Sequence, residues 1–203
     1  MLYTLLASAL VSASSHVAPA AAPAVAPRVL LDTAVAAPVA KRLSLDLRAG
    51  GSVRIVGAQD KVVRIRVTED GRACGDCGVQ LDQGSDGIQV HSTRPATNGA
   101  QLRFEIEVPE HFDLDLNSAG GAVTIEGVDG TIKGLTESGE LQLRRLSGTV
   151  DLETKNGDVT LRESYVNGRV HTVGGRVLLE DVSGTVAGSS AKGKVVERRV
   201  QRG

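Results

Sequence analysis

Glycine recurs at eighteen-residue intervals through the second half of this 203-residue chain, at Gly121, Gly139, Gly157, Gly175 and Gly193. The positions between keep the same register. Two after each glycine stand Val123, Leu141, Val159, Val177 and Val195; four after stand Ile125, Leu143, Leu161, Leu179 and then Glu197. Seven after come Val128, Leu146, Ser164, Val182 and Val200, and fifteen after come Thr136, Thr154, Thr172 and Ser190. A further glycine follows nine positions on, as Gly130, Gly148 and Gly184, while the third unit has Val166 there and its glycine at Gly168.

Self-similarity at a short fixed period is the signature of a solenoid, in which one repeat cannot bury its apolar face until its neighbours stack on it. Alternation with period two predicts strands, and the Ser-Gly, Asn-Gly and Gly-Gly pairs predict tight corners. The expected fold is therefore all-β: a single-stranded parallel β-helix or β-solenoid with an 18-residue repeat, regular over 121–203 and less regular before it. In such a stack residues eighteen apart lie about 4.8 Å from each other. The outward column Glu126, Arg144, Arg162, Glu180, Arg198 then places mostly opposite charges side by side, as does Arg145, Glu163, Asp181, Arg199. A third column is less favourable, with Glu140 beside Asp158 and Arg176 beside Lys194. Upstream, "GGSVRIVG", "KVVRIRV" and "QLRFEIEV" also read as strands, and nothing after Lys41 has helical periodicity.

The N-terminal "MLYTLLASALVSA" is too short an apolar run to span a bilayer and suits a secretory signal over 1–20, with cleavage after Ala13 or Ala20. No Lys or Arg precedes Arg28. Residues 21–40 are rich in Ala and Pro and read as a linker, leaving 41–203 as one β domain. Basic and acidic residues number 23 and 24 and are spread along the chain, Trp is absent and aromatics are 2%. That balance disfavours nucleic acid and anionic membranes, and it lacks the stacking platforms that single-stranded nucleic acid and many sugars use. No segment after the signal reads as membrane-inserting.

The motifs that could carry chemistry have plainer structural readings. "CGDC" (Cys74, Cys77) in an exported chain is expected to close a small disulfide. Zinc would need two further ligands, for which only His91, His111 and His171 remain after the signal, and a thiol oxidoreductase would need a following helix. "GSSAKGKV" (188–195) approaches a P-loop, but Val195 stands where Ser or Thr should hold magnesium; Ser189 and Lys192 match S-x-x-K without its partner motifs. The aspartates Asp129, Asp151, Asp158 and Asp181 fall in different columns, which disfavours a calcium ladder. Asp113 and Asp115 share one strand face, as a polysaccharide-cleaving β-helix could use, or simply as a solvated face. Arg198, Arg199 and Arg202 read as charges that protect an edge strand.

The succession "VRIVG…VVRIRV…FEIEVPEHFDLDLNSAGGAVTIEGVDGTIKGLTESGELQLRRLSGTVDLETKNGDVTL" resembles the bacterial putative-adhesin family of β-strand repeats, also called toastrack domains, over roughly residues 42 to 200. That resemblance implies a parallel β-helix exported to the cell envelope and supplies no catalytic or binding residues. The expectation is a non-enzymatic binding or adhesion scaffold of the periplasm or cell surface, monomeric, without cofactor or metal, whose partner is an envelope protein or surface ligand. The alternatives are an envelope sensory or regulatory module and a β-helix enzyme acting on polysaccharide.

Overall fold

The computed structural model describes residues 27–38, 41–70, 78–92 and 101–203. Among them the regular structure is all strand: β1 (Arg28–Ala36), β2 (Arg42–Leu47), β3 (Ser52–Ala58), β4 (Val62–Asp70), β5 (Val79–Gly84), β6 (Gly87–Ser92), β7 (Gln101–Pro109) and β8 (Asp113–Ser118). Then follow β9 (Val123–Glu126), β10 (Asp129–Ser138), β11 (Leu141–Arg144), β12 (Ser147–Asn156), β13 (Val159–Thr172), β14 (Val177–Ser183), β15 (Val186–Ser190) and β16 (Val195–Gln201). All sixteen join one sheet that curls on itself like a nearly closed barrel. The long β13 is the turning point: Val159–Tyr165 pairs with β14, and Tyr165–Thr172 pairs with β12.

The sheet thus has two ladders. The first runs β1, β4, β7, β3, β9, β11, the start of β13, β14, β16; the second runs β5, β6, β2, β8, β10, β12, the end of β13, β15. From β8 onward every parallel pair joins residues eighteen apart, as in Leu114 with Ile132, Ile132 with Val150, Val123 with Leu141 and Val177 with Val195. The regular register therefore begins at β8, ahead of Gly121. Inward side chains of both ladders form one core, in which Val123, Leu141, Val159 and Val177 are 0% exposed. Each such aliphatic side chain contributes roughly 1.5–3 kcal/mol on burial, which makes these columns, and not the exposed charges, the main source of stability.

The irregular glycine of the third repeat has a packing reason. Gly148 lies opposite Val166, and Val150 lies opposite Gly168, so valine and glycine trade places between successive rungs. Val166 is fully buried, which restores part of the volume that Gly168 leaves.

Two expectations about the N-terminal half are corrected. Residues 28–36, read as part of the linker, form β1, antiparallel to β4 from Arg28 opposite Glu69 to Ala36 opposite Val62. Leu30, Leu31 and Val35 pack against the core, and that apolar contact outweighs the disordering bias of the Ala/Pro neighbourhood. The expected all-parallel stack also fails upstream, where β4 pairs antiparallel with β7 and β5 with β6, and where β2 and β3 are stacked out of chain order. Leu43 of β2 lies between Ile88 and Leu114, and Val53 of β3 lies between Phe104 and Val123. The β2–β3 unit is thus enclosed between β6–β7 and β8–β9, two units that come later in the chain.

Candidate surface for binding

The glycine column is a column of backbone contacts. A Cβ on Gly139 would lie 2.0 Å from the carbonyl oxygen of Gly121, on Gly157 2.0 Å from that of Gly139, and on Gly175 or Gly193 1.9 Å from the oxygen before it. Only hydrogen fits between these corners. The column extends upstream to Gly51, whose oxygen would lie 2.0 Å from a Cβ on Gly121.

Beside it runs the hydroxyl column. Thr136, Thr154 and Thr172 are buried; Thr136 Oγ1 donates to Ser138 O (2.8 Å), Thr172 Oγ1 to Gly157 O (2.8 Å) and Ser190 Oγ to Gly175 O (2.6 Å). Thr172 and Ser190 also accept from Gly175 N and Gly193 N. These hydroxyls satisfy corner backbone groups that burial would otherwise leave unpaired. Ser164, the polar member of an apolar column, does the same, donating to Arg162 O (2.6 Å) and accepting from Leu146 N (3.0 Å).

A further corner was not foreseen. Arg145, Glu163, Asp181 and Arg199 all have φ between 50° and 55°, and Gly127, eighteen before Arg145, has φ 68°. Apart from aspartate, charged side chains seldom occupy this left-handed region. Here they form ion pairs across rungs: Arg145 with Glu126 (2.6 Å), Arg144 with Glu163 (2.9 Å), and Arg199 with both Asp181 and Glu180. The like-charged neighbours Arg144 and Arg162 are thereby resolved, one pairing diagonally with Glu163 and the other with Glu180 at 3.1 Å. The hydrogen bond from Arg199 holds the Asp181 carboxyl below its ordinary range, and the bond to Glu163 raises the Arg144 guanidinium. Asp158 and Arg176 also pair, at 3.1 Å.

The remaining sequence candidates fall on the sheet surface. Asp113 and Asp115 do share the outer face of β8, with Leu114 and Leu116 buried beneath, but Asp113 Oδ1 accepts the Thr131 backbone N–H at 2.8 Å. Asn167 makes the same bond to Thr185 N three rungs on, marking both as corner caps. The P-loop-like stretch has β15 and β16 on either side and no helix, and Ser189 hydrogen-bonds His171 Nδ1 at 2.8 Å. β16 pairs with β14 alone, so it is an edge strand; Arg199 pairs with acids of β14, and Arg202 with Glu197 at 2.5 Å. Cys74 and Cys77 lie outside the described residues. Among the described residues no group of three His, Cys, Asp or Glu side chains is arranged to hold a metal ion.

The outer face of the first ladder carries a recess over β9, β11 and β13. Thr124, Gln142 and Thr160 stand in successive rungs as a neutral floor, because Gln142 is in register with both threonines. Arg54, Arg144, Arg162, Glu126 and Glu140 wall a hollow of about 340 Å³. Glu126 is paired with Arg54 at 3.5 Å and with Arg145 at 2.6 Å. What the recess offers is rows of amide, hydroxyl and guanidinium donors spaced one rung apart.

No protein-family model matches this chain, and no curated protein matches it. Among solved structures it is similar to a putative cell adhesion protein from Clostridium sporogenes ATCC 15579, with 11% identity and a TM-score of 0.44, over 85% of this chain and 99% of that one. It is also similar to a putative adhesin from Parabacteroides merdae ATCC 43184, with 9% identity and a TM-score of 0.26, over 85% of this chain and 95% of that one. Among the described residues no helix is long and apolar enough to cross a membrane.

Proposed function

We propose that this protein is a β-solenoid of the putative-adhesin type, exported to the cell envelope, where it serves as a non-enzymatic scaffold for binding or adhesion. The observation that carries the proposal is the division of labour among the in-register polar groups. The buried hydroxyls and glycines are used by backbone corners, and most outward charges are paired across rungs. What remains for a partner is a broad face of evenly spaced hydrogen-bonding groups, exemplified by Thr124, Gln142 and Thr160. Such a face suits an extended polar ligand or a protein surface held by many weak contacts.

The test is capture from an envelope extract with the immobilised chain, beside a Thr124→Ala, Gln142→Ala, Thr160→Ala variant. A partner or glycan retained by the parent and lost from the variant supports the proposal. Equal retention by both, or none by either, overturns the assignment of this face. Chain cleavage in a panel of purified polysaccharides incubated with the protein would replace it with the enzyme reading.

A further inference from the structure

The out-of-order stacking creates a recess that no repeat position explains. To pass from β7 to β8 the chain must step over the enclosed β2–β3 unit, and the β3–β4 and β7–β8 connections meet there with Ala37, Pro38 and Lys41 between β1 and β2. They surround a hollow of about 550 Å³, within the range of small-molecule sites. Its apolar side is Pro38, Ala58 and Pro109, and its polar side includes Lys41, Lys61 and Glu110. The wall is firmly built, because Glu110 N donates to Ala58 O (2.8 Å) and Glu110 O accepts from Asp129 N (2.7 Å).

Two features set this hollow apart from an ordinary crevice. Lys41 has φ 45°, and it is the one non-glycine residue in the left-handed region, among the described residues, outside the repeating corner of Arg145, Glu163, Asp181 and Arg199. Strain of this kind persists where the surroundings enforce it, often at ligand clamps. The second feature is charge. Asp60 is paired with Arg64 at 2.7 Å and His111 with Asp129 at 2.9 Å, whereas Lys41, Lys61 and Glu110 form no ion pair among the described residues. One wall therefore presents two uncompensated cations and one uncompensated anion beside proline and alanine.

We propose that this hollow binds a small zwitterion with an apolar body, an apolar amino acid or short peptide, its carboxylate met by Lys41 and Lys61 and its ammonium by Glu110. The site is separate from the outer face assigned above and stands or falls without it. Pro38, Ala58 and Pro109 take the aliphatic side chain, and charge-assisted hydrogen bonds fix the ends.

The experiment is isothermal titration calorimetry of the full chain with the dipeptide Leu-Leu, its C-terminal amide and its N-acetyl derivative. The expected result is that Leu-Leu binds and that either blocked form binds about tenfold more weakly, one charge-assisted contact having been lost in each. Glu110→Gln should remove the difference between Leu-Leu and the acetylated form. Lys41→Asn with Lys61→Gln should remove the difference between Leu-Leu and the amide, asparagine being chosen because it tolerates the backbone of Lys41. Failure of all three ligands to bind at millimolar concentration, equal binding of the three, or indifference to acetylation would each overturn the proposal.

Discussion

Replacing Gly139 by alanine should be among the most damaging single-methyl changes available in this chain. The new Cβ would stand 2.0 Å from the Gly121 oxygen and 2.5 Å from its carbon, on a backbone with φ 114°. A carbon–oxygen contact needs roughly 3.3 Å, so the two rungs must part locally by about 1 Å. That separation lengthens the 2.8 Å bond from Val123 N to Glu140 O and its neighbour in the β9–β11 ladder beyond hydrogen-bonding range. Two lost backbone bonds at about 1 kcal/mol each, plus roughly 1–3 kcal/mol of dihedral strain, give about 3–5 kcal/mol. Urea unfolding followed by far-ultraviolet circular dichroism measures this, with Gly84→Ala as the matched control. Gly84 has no positive φ and nothing within 4 Å of an added Cβ, so its change should stay within about 0.5 kcal/mol. If Gly139→Ala costs less than about 1 kcal/mol, the stacked-corner account is wrong.

Thr172→Val leaves Gly157 O and Gly175 N without their 2.8 and 3.0 Å partners and should cost about 2–3 kcal/mol by the same assay, while Thr172→Ser should retain most of the stability. Asp181 and Glu137 have pKa values lowered by hydrogen bonds from Arg199 and Lys155. The unfolded chain therefore binds more protons than the folded one in the acid range. The contribution of these carboxyls is complete above their ordinary pKa of about 4 and is lost as pH falls through the lower folded values. Asp181→Asn should accordingly flatten the acid limb of a plot of urea midpoint against pH. A chain starting at Ala37 should remain folded, because β1 has no fully buried residue, yet it should self-associate on size-exclusion chromatography with light scattering, since the edge of β4 becomes a pairing template.

The alternation and the eighteen-residue period were legible because each column must be apolar, small or hydroxylated for the same reason on every rung. Val123, Leu141, Val159 and Val177 are buried where alternation places them, and the in-register Thr136, Thr154 and Thr172 all bond corner backbone oxygens. The left-handed corner was not legible, because Arg145, Glu163 and Arg199 carry no propensity for positive φ, and Gly127 and Asp181, which do tolerate it, are two positions in a column of five. The enclosed β2–β3 unit was hidden for a different reason. Its partners lie at unequal distances along the chain, Leu43 with Ile88 and Leu114, Val53 with Phe104 and Val123, so no fixed period connects them. The hollow at the crossing inherits that invisibility, since its walls come from three segments that only the stacking order brings together.

That enclosed unit also sets a timetable. A chain that emerges from the ribosome N-terminus first presents β2 and β3 early, but their second neighbours, β8 and β9, end only at Glu126, about seventy residues after Val53. The leading segment must wait, half covered at best, until the loop closes around it, whereas each rung after β9 finds a finished template on arrival. Mutations that slow this closure should therefore reduce the yield of folded protein more than mutations of equal thermodynamic cost in the last rungs, because only the former prolong the interval in which Leu43, Val53 and Ile55 stand exposed.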